Sequence, residues 1–103
     1  MHRGEVWWAN LPPPAGKRPV LLLSRESAYR VRTSVTVAAI TRTVRGIPVE
    51  VVLDEADGLP AKCVVNLDNI LTIPKALLSQ RITVLSDATM ALVAKGITFA
   101  LDL

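Results

Sequence analysis

A chain of 103 residues, half of them hydrophobic and a fifth charged, has room for one core and too much apolar content for a disordered tail. No apolar run nears the roughly 20 residues of a membrane helix, and no apolar leader segment follows Met1. One cysteine, Cys63, and one histidine, His2, make neither an internal disulfide nor a metal set. The expectation is a single soluble, cytoplasmic domain over residues 1–103.

The net charge of +3 divides unevenly. Residues 1–45 hold eight Lys/Arg against Glu5 and Glu26, a net +6, and residues 46–103 hold four against seven acids, a net −3. Seven of the eight N-terminal cations lie between Lys17 and Arg45, a distribution that suits one polyanion-binding face. Charge solvated in loops is the alternative.

In chain order, "GEVWWANL" is rich in aromatic and β-branched residues and stops at Pro12-Pro13-Pro14, as a strand does. Neighbouring strand residues point to opposite faces, so one of Trp7 and Trp8 is expected in the core and the other exposed, free to stack a base or to serve an interface. "PVLLLS" reads as a strand buried on both faces. Pro19 fixes its own backbone and holds Arg18 extended at the mouth of that strand. "SVTVAAIT" is a third strand, with Val35, Val37 and Ala39 alternating against Thr36, Ala38 and Ile40. "IPVEVVL" is a fourth, placed at an edge or started late by Pro48. "DEADGLP" is a turn and "KCVVNL" a fifth strand. "DNILTIPKALLSQ" is ambiguous between states and includes a helical turn, and "RITVLS" is a last short strand. Ser86 caps a final helix with Asp87 in its first turn, and Met90, Val93, Ala94, Ile97 and Leu101 share one face of it at helical spacing. Gly96 weakens that helix. The fold class is mainly β with a C-terminal helix, a small bent sheet or partial barrel of about five to six strands.

The loops "PPPAGK" and "TRTVRG" follow the first and third strands, and in a small barrel such loops meet at one end, where Arg18 and Thr41 can converge. No phosphate-cradling glycine motif and no nucleophile elbow is present. His2 sits beside the chain start, where fraying is expected. The acids form no tight cluster in the first half, which argues against two-metal chemistry. Arginine, threonine and backbone donors in a cationic groove remain. That set suits a phosphodiester and the charge that develops on it. RNA carries its own nucleophile, the 2′-hydroxyl, so positioning and charge neutralisation can cleave it without a metal.

The segments "RGEVWWANL", "GKRPVLLLS", "VTVAAITRT", "IPVEVVL", "GLPAKCVVNLDNI" and "LLSQRITVLS", in this order and spacing, resemble the MazF/PemK toxins of type II toxin–antitoxin modules over nearly the whole chain. The resemblance implies an SH3-like, CcdB-like barrel that forms a homodimer. It implies a sequence-specific, ribosome-independent endoribonuclease needing no metal or cofactor. Such an enzyme cleaves single-stranded RNA (messenger RNA, with transfer or ribosomal RNA as alternatives) to 2′,3′-cyclic phosphate and 5′-hydroxyl ends. It further implies a cognate antitoxin whose acidic, disordered tail covers the site. By position, Arg18 matches the family's catalytic arginine and Thr41 its catalytic threonine, and Asp68 and Asn69 match an acid/amide pair that contacts RNA. Lys17, Arg42, Thr43 and Arg45 are the expected substrate-binding residues around them. One departure stands out: "PPPAGK" lacks the serine, glutamate and glutamine that many relatives carry before the R-P motif. With arginine a poor base, the group that takes the 2′-hydroxyl proton is left unassigned. The rival readings are a CcdB-like toxin that binds DNA gyrase, against which the ending "FALDL" in place of Trp-Gly-Ile counts, and an inactive RNA-binding homologue.

Overall fold

The computed structural model describes residues 1–103. Its strands are β1 (Glu5–Asn10), β2 (Lys17–Leu22), β3 (Ser34–Thr41), β4 (Glu50–Leu53), β5 (Cys63–Pro74) and β6 (Leu78–Val84), with a one-turn helix α1 (Ala28–Val31) and a C-terminal helix α2 (Asp87–Leu101). The strands form one sheet in the order β4-β5-β3-β2-β1-β6, antiparallel at every pairing and curled into a half-barrel. A mainly β fold with a C-terminal helix and six strands is what the apolar patterning called for. No helix is long and apolar enough to cross a membrane.

Curling a sheet requires breaks in its ladders, and two places supply them. Between β1 and β6 the register slips on either side of Trp7-Trp8. Between β3 and β5, Ala38 pairs with Ile70 while the next residue, Ala39, pairs with Asn66. Residues 67–69 therefore have no partner on β3. Leu67 from this bulge is buried in the core, whereas Asp68 and Asn69 face solvent. Burial along β3 does not follow one alternation, because both of its faces are covered. Val35 and Val37 are buried in the core on one face of the sheet, and Ala38 and Ile40 in the core on the other.

Both faces of the sheet are packed. One core holds Val6, Leu21, Ala38, Ile40, Val51, Leu53, Val65, Leu67 and Val93 beneath α2. The other holds Ala9, Val20, Leu22, Tyr29, Val35, Val37, Ile73 and Leu78. Val20, Leu21 and Leu22 are inaccessible to solvent, so β2 is buried on both faces as its continuous apolar run predicts. β4 is an edge strand beginning at Glu50, two residues after Pro48, which satisfies both readings of that proline.

Four expectations change. First, the ambiguous stretch after Leu67 is strand as far as Pro74. Only Lys75–Leu77 makes a helical turn, a 3₁₀ one, and β6 begins at once with Leu78. Pairing with β3 on the far side of the bulge overrides the local ambiguity. Second, Ala94 and Leu101 of α2 are exposed; the inward face runs through Met90, Val93, Gly96 and Ile97. Gly96 does more than weaken the helix, because a methyl there would overlap Leu67 Cδ1. Third, both tryptophans are half-buried: Trp7 packs against the second core and donates its indole N–H to Glu5 Oε1 at 2.8 Å. Fourth, His2 is tied down. Its Nδ1 lies 3.0 Å from Glu26 Oε2, and the Arg3 amide donates to Glu26 Oε1. These two bonds hold the Glu26 carboxyl below its usual range.

Ser86 caps α2 as its sequence indicates, its Oγ accepting from the Thr89 amide at 3.1 Å. The turn cluster "DEADGLP" contains a 3₁₀ turn, Glu55–Asp57. Asp54 caps it, and it ends at Gly58 with φ +92°. Thr83 of β6 donates to Asp57 O across this turn at 3.0 Å.

Candidate active site

β2 and β3 bring together the two residues expected to be catalytic. Their register pairs Val20 with Ala39, and continued by two residues it sets Arg18 opposite Thr41. Beyond Val20 this end of the sheet opens into two cavities, the larger one on the side of the first core, to which Ile40, Leu59 and Cys63 belong. The larger, of about 430 Å³, is lined by Trp8, Ala15, Lys17, Arg18, Pro19, Ile40, Thr41, Arg42 and Cys63, with the Leu59-Pro60-Ala61 loop closing one side. The smaller, of about 190 Å³, is lined by Arg18, Ala39, Thr41, Thr43, Arg45, Glu50, Asn66 and Asn69. Arg18 and Thr41 belong to both walls. They form the ridge between an apolar, tryptophan-sided cavity and a polar one.

Both side chains are oriented by local bonds. The Nε–H of Arg18 donates to Ala15 O at 2.8 Å. That bond uses one edge of the guanidinium and leaves its two terminal nitrogens as a fork. The carbonyl sits there because the loop before β2 closes on itself, with Leu11 N–H donating to Gly16 O at 3.0 Å and Gly16 turning at φ +66°. Thr41 Oγ1 accepts from the Thr43 amide at 3.3 Å, so the hydroxyl proton stays available to donate outward. Lys17 Nζ stands 5.2 Å from the centre of the Trp8 ring, a cation–π distance that holds the ammonium over the rim of the larger cavity.

The remaining expected residues divide. Lys17 and Arg42 line the larger cavity, Thr43, Arg45 and Asn69 the smaller, so the loops after β1 and β3 do meet. Asp68 is exposed and lines neither; its amide is bound by Asn66 Oδ1 at 2.9 Å, and the bulge turns its side chain away. The single cationic face is not formed. Arg25, Arg30 and Arg32 lie in the β2–β3 connection, at the opposite end of those strands from Arg18 and Thr41. Four cations, Lys17, Arg18, Arg42 and Arg45, surround the cavities.

Three residues of the site escaped the sequence reading: Trp8 as a cavity wall, Asn66 and Glu50. The last two had a visible signal, a lone polar residue inside an otherwise apolar strand ("KCVVNL", "PVEVVL"). Cys63 is buried, at 6% exposure. Burial pushes its thiol pKa up, with Asp57 adding to the shift and Arg42 opposing it. No group of three or more His, Cys, Asp or Glu side chains is placed to hold a metal ion.

Comparison with known proteins establishes the family. Residues 2–101 match the family described as the PemK-like, MazF-like toxin of type II toxin–antitoxin systems. The chain belongs to that family. A Mycobacterium tuberculosis relative named probable endoribonuclease MazF2 is 44% identical over 91 residues, which is 87% of each chain. Among solved structures, the Mycobacterium tuberculosis toxin MazF-mt6 superposes with a TM-score of 0.89 at 40% identity, covering 96% of this chain and 97% of that one. A mycobacterial endoribonuclease in complex with its cognate antitoxin gives a TM-score of 0.88 at 30% identity, covering 100% and 96%.

Proposed function

We propose that this chain, as one toxin domain over its whole length, is a sequence-specific endoribonuclease. It cleaves single-stranded RNA without a metal, by attack of the 2′-hydroxyl on the adjacent phosphate, leaving 2′,3′-cyclic phosphate and 5′-hydroxyl ends. One observation carries this reading: the Arg18 fork and the Thr41 hydroxyl share the ridge between two cavities. A phosphodiester laid on that ridge has its two flanking nucleosides over different cavities, and charge developing on phosphorus meets donors already oriented for it. Lys17, Arg42 and Arg45 neutralise neighbouring phosphates, and Thr43 and Asn69 offer hydrogen bonds in the polar cavity. Asp68 has at most an outer contact. The relatives' names favour a nuclease over a gyrase-binding toxin.

The same ridge is the surface an acidic antitoxin tail would cover, in line with the antitoxin complex of a relative, and release from it would free the enzyme in the cytoplasm. The active form is a homodimer, as the family resemblance implies. The test is incubation of the purified protein with a long single-stranded RNA in excess EDTA, followed by mapping of the ends. The expected result is cleavage with cyclic phosphate termini, abolished by a 2′-deoxy residue at the cut site. Ends bearing 3′-hydroxyls, or no cleavage until magnesium is added, would refute the chemistry.

A further inference from the structure

The proposed cleavage needs a proton acceptor near O2′, and the loop before Arg18 contains no acid. Across the two cavities, one carboxylate lines a wall: Glu50, at the start of β4. It stands in a cross-strand row with Asn66 and Ala39, on the face of the sheet that carries Thr41 and Arg18. Its two oxygens are in different situations. Oε1 accepts from the amides of Arg45 and Gly46 at 2.9 and 2.8 Å, which fixes the carboxylate and the β3–β4 loop together. Oε2 has no partner within the chain. The other ionisable groups of the walls are the four cations and the buried thiol of Cys63, whose pKa burial pushes up.

We propose that Glu50 is the general base of the reaction, with Oε2 as the accepting atom. The assignment rests on the cleavage chemistry proposed above. In the step, the O2′–H proton passes to Oε2 while the O2′ lone pair forms the P–O2′ bond. The P–O5′ bond breaks with its electrons on O5′, which takes a proton from water. Protonated Glu50 then returns its proton to the hydroxide so formed. Arg18 and Thr41 bind the phosphoryl oxygens throughout. Because Oε1 is already held by two backbone donors, the side chain is oriented before substrate arrives. The charged groups facing Glu50 are Arg18 and Arg45 across the polar cavity and Lys95 of α2 across a third cavity, which Glu50 also lines.

Glu50→Gln keeps an oxygen for the two amides and removes the base. Single-turnover cleavage at saturating RNA should fall by about 10²-fold or more. RNA affinity and the slow hydrogen exchange of the Arg45 and Gly46 amides should persist, and the decline of the wild-type rate toward acid pH should vanish. A variant that cleaves at near the wild-type rate, or keeps the wild-type pH profile at any rate, overturns the assignment. Should amide protection be lost as well, formate added to Glu50→Ala decides: recovery of rate supports the base, and none overturns it. The underlying reading fails separately, if wild-type protein cleaves a substrate with a 2′-deoxy residue at the cut site.

Discussion

Arg18 and Thr41, distant in the chain, face one another across β2 and β3, each bonded to its own loop: Arg18 through Nε to Ala15 O, Thr41 through Oγ1 to the Thr43 amide. The two loops thereby hold the two donors at one spacing. A lysine at position 18 would restore the charge but neither the bond to Ala15 nor the planar fork. Arg18→Ala should slow single-turnover cleavage by about 10²–10³-fold, the usual loss for one preorganised donor, with unchanged thermal stability. Arg18→Lys should recover RNA affinity much more than rate. A lysine variant cleaving at the wild-type rate under saturation would make Arg18 a tether only.

Arg45 lines the polar cavity with its side chain, while its amide is held by Glu50. Arg45→Ala should leave the loop in place and remove one phosphate contact. RNA binding then weakens, and the slope of log K against log salt flattens by about 0.7, the value for one phosphate on a single strand. An unaltered slope would mean that Arg45 touches no phosphate.

Gly58 is the position where the backbone is least replaceable. Its φ of +92° disfavours any side chain, and an added Cβ would run into Thr83, whose hydroxyl holds Asp57 O. Gly58→Ala should cost about 1–2 kcal/mol for the left-handed backbone and about 1 kcal/mol more for the displaced hydrogen bond. Urea unfolding measures it, and a loss below about 0.5 kcal/mol, the range of neutral surface changes, would contradict the argument.

Glu5 is a buried carboxylate, 4% exposed, whose pKa lies below the ordinary 4.5. Burial acts to raise it, and is outweighed by the hydrogen bond from the Trp7 indole, a bond from the His2 backbone, the N-terminal amine and Arg81; the Arg81 guanidinium stands 3.6 Å away. A group depressed in the folded state stabilises it above the unfolded value and loses that contribution as pH falls through the folded one. Stability should therefore decline as pH drops from about 4.5, and Glu5→Gln should flatten that decline while weakening the fold at pH 7. Parallel curves for the two proteins would show that Glu5 does not contribute to acid unfolding.

What could be seen in the sequence was whatever local patterning decides. β2 declares itself by the unbroken apolar run in "PVLLLS", β4 by Pro48, and α2 by Ser86. What could not be seen depends on partners distant in the chain. The stretch from Asp68 to Pro74 is strand because β3 pairs with it beyond a bulge, and no local propensity announces a bulge. The inward face of α2 passes through Gly96 because Leu67 comes up to meet it. The convergence of "PPPAGK" with "TRTVRG" was open to inference from barrel topology, whereas the separation of Arg25, Arg30 and Arg32 from the site was hidden by their nearness in sequence. Glu50 and Asn66 were overlooked as strand residues, although a polar side chain in an apolar strand was itself the clue.

The bulge in β5 separates two demands that a regular strand would bind together. Asn66 is fixed by pairing with both Ala39 and Glu50, and Leu67 is fixed by the core. Asn69 sits in the stretch with no partner on β3, yet its side chain lines the polar cavity. A substitution there alters what the cavity offers to a nucleotide without touching a ladder bond to β3 or the interior. Under the proposed function, this is a position where preference for an RNA sequence can drift over generations while the barrel beneath it stays the same.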